Sequence, residues 1–330
     1  MQIKVLRPGL FTTIQDTGRY GYQKYGVIVS GAMDTYALRV ANILIGNDPA
    51  EGALEVTVMG PQLFFEYDAL IAITGGNLSP TVDGVPIPMW RPVLIKKGCI
   101  LDFSGCNSGC RAYLAVAGGF DVPDVMGSKS TYCKAGFGGF HGRALRGDDV
   151  IKVNENERLS EYRKTLNKQL LGGLLTTSWY VAADYLPGKE AEIRFIRGTQ
   201  YELFDELSRG IFVSTSFTIT MQADRMGYRL SGKVLKRSIE KELISEAVGF
   251  GSVQVPPDGN PIILLADRQT AGGYSKIAQI ISVDLPILAQ LMPGSTVRFK
   301  EISHELAEEK FVTQETRLKS IQQGVLTKLS

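Results

Sequence analysis

The stretch QIKVLRPG, Gln2 to Gly9, returns later in the chain as EIRFIRG, Glu192 to Gly198. Two further echoes keep the same order. Arg19-Tyr20-Gly21-Tyr22 returns as Arg225-Met226-Gly227-Tyr228, and KGCILDF at Lys97–Phe103 returns as PGSTVRF at Pro293–Phe299. The offsets are 190, 206 and 196 residues. Each match alone is weak, but three in one order at a similar offset argue for two related halves. A seam near Leu186-Pro187-Gly188 gives a first half over residues 1–190, connecting segment included, and a second over 191–330 with a C-terminal helix. Two like barrels about a pseudo-twofold axis would leave a groove, a common place for ligands.

Outward from the repeat, the chain reads as mainly β. There are 36 glycines, helical periodicity is scarce, and β-branched runs recur at Gln2–Leu6, Leu70–Thr74, Val93–Lys96, Ala112–Ala117, Glu192–Ile196, Ile211–Met221 and Ile262–Ala266. Turn pairs such as Asp83-Gly84, Lys97-Gly98 and Pro293-Gly294 separate them. The pattern predicts barrels or sandwiches rather than a doubly wound sheet. Three helices are expected. The first spans about Asp34 to Ile45, with Asp34 as N-cap and Gly46 as stop. The second spans Leu285 to Leu291 with Asp284 as cap. The third spans Ser303 to Gln323, with Leu306, Phe311, Leu318 and Ile321 on one side. The polar stretch Val153–Lys168 reads as a surface helix or a connection.

The 330 residues are 44% hydrophobic and 21% charged, an ordinary globular composition for one large or two medium domains. A net charge of +2 gives no electrostatic reason to capture nucleic acid or anionic lipid. No apolar run reaches the ~20 residues of a membrane span, and the start MQIKVLRPGLFTT is too polar for a signal peptide. A cytoplasmic protein is expected. Cys106 and Cys110 have the spacing of a zinc half-site, but a second half-site is missing, so the four cysteines read as reduced thiols and no metal is assigned.

Three clusters carry candidate chemistry. Thr12 to Asp34 holds Asp16 and Arg19 among glycines; the arginine offers a fork for a carboxylate or phosphate, or pairs with Asp16 in a tight turn. The second cluster runs from Arg111 through Gly118-Gly119 to Gly127-Ser128-Lys129-Ser130-Thr131. It ends like a Walker A loop, yet Ser128 separates Gly127 from Lys129 and no helix follows, so a P-loop is rejected. Its hydroxyls, amides and Lys129 suit an anion or simply a polar loop. The third, Leu264 to Gly294, is an apolar strand ending at Asp267-Arg268-Gln269, followed by Gly272-Gly273, Tyr274 and Lys276. Charged residues at a buried strand's tip suit a site, with Asp267 as acid or base or as orienter of Arg268 or Lys276. No G-x-S-x-G, H-E-x-x-H, biotin-attachment A-M-K-M or strand-borne G-x-G-x-x-G is found.

Taken together, TTIQDTGRYGYQKYGV-SGAMD, ALEVTVMGPQL, CRAYLAVAGGFDVPDVMGSKST and LADRQTAGGYSKIA-DLPILAQLMPG resemble the family of the 5-oxoprolinase C subunit, also called the KipI antagonist (KipA) or allophanate hydrolase subunit 2-like family. The resemblance covers roughly Ile3 to Lys300; Ser303–Ser330 carries little of it. It implies two cyclophilin-like β-barrel halves and partners in a B-type (KipI-like) subunit and an A-type subunit. It also implies ATP-dependent cleavage of 5-oxo-L-proline to L-glutamate, with ATP and magnesium at a subunit interface or on a partner. Relatives implied by the same modules are a regulator that relieves KipI inhibition of a sporulation histidine kinase, and the carboxyltransferase of biotin-dependent urea carboxylase. A lactam is a poor electrophile, and phosphorylating its carbonyl oxygen creates a leaving group, so cations and donors are needed. Asp267, Arg268, Lys276 and Asp16 are the catalytic candidates. Arg19, Arg111, Ser128, Lys129, Ser130, Gln269, Gly272 and Gly273 are the candidates for binding substrate or phosphate.

Overall fold

The glycine-punctuated runs become strands in the computed structural model, which describes residues 1–156, 159–166, 168–169, 174–238 and 243–329. They fall into two compact units. One comprises Met1–Arg19, Asp34–Leu186 and Thr316–Ser330; the other comprises Tyr20–Met33 and Pro187–Glu315. The segment Tyr20–Met33 thus belongs to the second unit although the first flanks it on both sides in sequence.

In the first unit a six-stranded sheet runs in the order Val150–Lys152, Gln2–Arg7, Gln62–Phe65, Ile100–Phe103, Pro80–Val82, Val85–Pro86. A seven-stranded sheet runs in the order Lys168–Gln169, Leu175–Thr176, Pro92–Ile95, Ala69–Asn77, Ser108–Val116, Ala53–Thr57, Phe11–Gln15. Alternation sends Ile3, Val5 and Phe65 of one sheet into the same core as Ile14, Val56 and Leu114 of the other. Each such side chain contributes roughly 1.5–3 kcal/mol by leaving water. Helix α1, Thr35–Leu44, lies against the central strands Ala69–Asn77 and Ser108–Val116. It starts and stops as its sequence predicts. The Asp34 carboxylate accepts from the Ala37 amide at 2.8 Å, and the chain leaves through Gly46 at φ 75°. Within Val153–Lys168, helix α2 spans Leu159–Thr165; residues 157, 158 and 167 lie outside the described residues.

The second unit is a closed barrel in the order Glu190–Arg197, Ser275–Ile280, Ser252–Val255, Ile262–Leu264, Gly227–Ser231, Ser216–Ile219, Thr296–Glu301. The last strand closes it by pairing parallel to the first, Ile193 opposite Phe299. Phe195, Phe212, Phe217 and Phe299 fill the interior, Phe212 stacking on Phe299 with centroids 4.3 Å apart. The mainly β expectation is borne out, with a barrel and few helices.

Beyond α1, three expectations about helices need correction. The run Ile211–Met221 is not one strand: helix α3 covers Glu206–Ser214, and only Ser216–Ile219 is extended. Asp205 caps α3 by accepting from the Ser208 amide at 2.6 Å, and Phe212 reaches the barrel core from it. Helix α4 is shorter than expected, Leu285–Ala289, and Asp284 does not cap it. Its buried carboxylate instead accepts from the Arg194 amide at 2.7 Å and from Arg194 Nε at 3.0 Å. Helix α5 runs on to Leu329 from His304, burying Leu318, Val325 and Leu329 while Leu306 and Phe311 stay exposed. No described helix is long and apolar enough to cross a membrane.

Candidate functional site

Three neighbouring barrel strands build a polar cavity on their outer face. Tyr228, Leu230, Val253, Val255 and Ile263 point into the barrel core. Alternation therefore sends Arg229, Gln254 and Ile262 outward. Beyond Leu264 the chain turns through Asp267-Arg268-Gln269 and comes back as Ala271–Gly272. The result is a cavity of about 200 Å³ whose polar lining includes Arg229, Gln254, Arg268, Gln269, Tyr274 and Asp224, with Ile262 and Leu264 supplying carbon.

Arg268 is the best-held cation there. Its Nε donates to the Val248 carbonyl at 3.2 Å, its Nη1 to the Leu265 carbonyl at 3.3 Å, and its guanidinium lies over the Phe250 ring. No carboxylate pairs with it among the described residues. Burial pulls its pKa below the ordinary arginine value, opposed by Tyr20 and Asp267, and an arginine so placed is still charged. Gln254 is 2% exposed, yet its Nε2 has no hydrogen-bond partner among the described residues. Gly272 makes room for this amide: a Cβ there would stand 2.7 Å from Gln254 Nε2 and 3.0 Å from Gln269 Nε2. The Asp224 carboxylate accepts from the Met226 and Gly227 amides and so holds the turn before the Arg229 strand.

Asp267 orients neither Arg268 nor Lys276. Its Oδ2 accepts from Arg225 Nε at 2.9 Å, and its Oδ1 from Arg225 Nη2 at 3.0 Å and the Ser30 hydroxyl at 2.8 Å. Lys276 faces Gln254 across the strand pair, but its Nζ is 2.6 Å from Glu246. Hydrogen bonds from Lys276 and Gln200 hold the Glu246 carboxyl below the usual range. Gly273 lies beside Ser245. Of the third sequence cluster, then, Arg268, Gln269 and Tyr274 line the cavity, Gly272 packs against its Gln254 and Gln269 side chains, Lys276 pairs across the strands with Gln254, and Asp267 braces the strand tip.

The first two clusters meet in the first unit, around Asp16. The Asp16 carboxylate accepts from the Gly18 amide at 2.8 Å, the Ser128 hydroxyl at 2.8 Å, the Lys129 amide at 2.6 Å and the Ser130 hydroxyl. Arg19 does not pair with it directly in a turn. Its Nε donates to the Val125 carbonyl at 2.8 Å and its Nη2 to that of Ser130 at 3.0 Å, with the guanidinium over Phe137. Burial lowers the Arg19 pKa, against the pull of Asp16 and Asp124. Lys129 Nζ pairs with Glu51 at 2.6 Å. The donors that suggested a phosphate cradle at Ser128–Ser130 are thus turned onto Asp16 and Glu51, so these residues do not fit a nucleotide phosphate. Arg111 is buried on strand Ser108–Val116, its Nη1 3.3 Å from Cys110 Sγ. A wider opening of about 500 Å³ lies along Gly136–Gly142 and contains none of these candidates.

The sequence alone did not single out Arg229, Gln254, Asp224 or the bracing role of Arg225. The Arg225 signal was present, since its motif echoes Arg19 and both arginines are buried. The profile of the carboxyltransferase domain, subdomain A and B, matches residues 25–301, a span that takes in the whole cavity.

The chain belongs to the carboxyltransferase-domain family.

Among members of that family, the chain is 40% identical to the C subunit of 5-oxoprolinase from Escherichia coli (strain K12), over 92% of this chain and 93% of that protein. It is 32% identical to the urea amidolyase of Saccharomyces cerevisiae over 99% of its own length but 18% of that protein's. The crystal structure of K. lactis urea amidolyase superposes with a TM-score of 0.87 at 30% identity, covering 97% of this chain and 20% of the other. The resemblance read from the four motifs is therefore borne out, and the chain corresponds to one module of the long urea amidolyases.

Proposed function

We propose that the chain is the C subunit of an ATP-dependent 5-oxoprolinase that cleaves 5-oxo-L-proline to L-glutamate with A- and B-type subunits. The observation that carries this reading is the 40% identity to a 5-oxoprolinase C subunit over nearly the whole of both chains. The chain contributes a binding surface rather than the nucleotide site. Its Arg268–Gln254 cavity offers cationic and amide donors, whereas its Ser128–Ser130 loop has spent its donors internally. ATP with magnesium is accordingly assigned to a partner or a subunit interface.

A second reading, a carboxyltransferase module of a biotin-dependent urea carboxylase, is favoured by the 0.87 TM-score to urea amidolyase. The experiment mixes the chain with its A- and B-type partners and ATP, supplies 5-oxo-L-proline in one set and urea with bicarbonate in another, and adds avidin to one arm of each. Glutamate and ADP formed equally with and without avidin are expected. Avidin-sensitive carboxylation of urea, with no glutamate, would favour the second reading.

A further inference from the structure

We infer that the outer-face cavity of the barrel unit binds the lactam substrate itself, a small cyclic amide with one carboxylate. The carboxylate sits on Arg268 and Arg229, and the ring amide sits against Gln254. The inference deepens the 5-oxoprolinase reading and rests on it.

Charge sets the ligand's valence. Arg268 and Arg229 make no ion pair among the described residues, and Asp224 is the one carboxylate among the cavity's named lining. Two cations against one anion favour a monoanion over a polyphosphate. Contacts to the Val248 and Leu265 carbonyls fix the Arg268 fork, so it is preorganised for a carboxylate. Size sets the scale, since about 200 Å³ lies below the ~300–1,000 Å³ of drug-sized pockets.

The amide supplies specificity. A buried donor without a partner is costly, and among the described residues Gln254 Nε2 is such a donor. A lactam holds its N–H and C=O on the same side of the amide bond. A primary amide can meet both at once, donating to the carbonyl and accepting from the N–H. Opening the ring destroys that pair, so L-glutamate loses the Gln254 contact and is released. Ile262 and Leu264 line the same cavity and suit the ring methylenes.

The test uses the reconstituted complex and measures KM for 5-oxo-L-proline and for ATP separately, alongside titration of the full chain with 5-oxo-L-proline or inorganic phosphate. Gln254→Leu should raise the 5-oxo-L-proline KM about tenfold, as losing two hydrogen bonds implies, and leave the ATP KM unchanged. The exposed Arg229→Gln, which no core contact requires, should raise the same KM and spare the fold. An unchanged KM in both variants, in complexes that still release glutamate, overturns the cavity assignment and leaves the 5-oxoprolinase reading standing. Saturation of the chain by phosphate but not by 5-oxo-L-proline overturns it too. If no complex releases glutamate, the 5-oxoprolinase reading fails, and the titration alone decides the cavity: binding of 5-oxo-L-proline that Gln254→Leu abolishes supports it, and no binding overturns it.

Discussion

The Arg225 guanidinium grips both oxygens of the Asp267 carboxylate, Nε to Oδ2 at 2.9 Å and Nη2 to Oδ1 at 3.0 Å, while Nη2 also donates to the Gly31 carbonyl at 2.6 Å. The pair ties the strand tip that carries Arg268 to the segment Tyr20–Met33 of the same unit. Its side chains are 9% and 14% exposed, so the charges are largely withdrawn from water. Removing one partner strands the other. Arg225→Met is expected to cost about 3–5 kcal/mol, and the double variant Arg225→Met/Asp267→Leu less than the single change. Chemical denaturation of the three proteins measures this. Equal losses in the single and double variants would show that the pair does not brace the tip.

Asp16 plays the matching part in the first unit, collecting two hydroxyls and two amides. Asp16→Ala leaves buried donors unmade and should cost roughly 3 kcal/mol or more, since each unmet donor costs about 1–3 kcal/mol. Ser128→Ala should cost about 1 kcal/mol. Thermal unfolding of both variants distinguishes this from a binding role, in which Asp16→Ala would alter activity and leave stability intact.

Legibility followed the range of the interactions. Helix α1 was readable because its signals are local: Asp34 meets an amide three residues on, and Gly46 ends the turn. Asp284 looked like a similar cap, but its carboxylate is claimed by Arg194, ninety residues away in sequence. Helix α3 hid because Arg209-Gly210 interrupts its apolar face and it buries only Ser208 and Phe212. At the cavity, Arg268 and Gln269 announced themselves as part of a polar tip on an apolar strand, and Gly272 as part of the glycine loop after it. Gln254 and Arg229 did not, because each alternates with apolar residues in a short strand as any outward-facing position does, and only barrel pairing through Ile262 brings the two strands together.

Acid should weaken the loop closed by Arg143 and Asp149. Hydrogen bonds from Arg143 and, secondarily, the Arg146 amide hold the Asp149 carboxyl below the ordinary aspartate value of 3.8, against the opposing effect of burial. Its folded pKa is depressed, so its contribution is complete above 3.8 and fades as pH falls through the lower folded value. Unfolding free energies of wild type and Asp149→Asn should therefore differ at neutral pH and converge below pH 3.8. A gap that stays constant over that range would contradict the assignment.

Gly272→Ala probes the cavity by addition. The new methyl would meet the ends of Gln254 and Gln269, two side chains able to shift. Stability should fall by about 1 kcal/mol, the typical cost of a point substitution, because Gly272 is buried but the side chains it meets can move, while the 5-oxo-L-proline KM rises as the Gln254 amide is displaced. Paired melting curves and kinetics on the reconstituted complex read both quantities. A large loss of stability with an unaltered KM would place the strain elsewhere.

An omission series addresses the role of this chain most directly. Glutamate release from 5-oxo-L-proline and ATP is followed with the A- and B-type subunits together, with this chain added and with it left out. ATP-dependent glutamate is expected only when this chain is present. Glutamate formed at the same rate without it would contradict the claim that this chain is a working subunit of the enzyme.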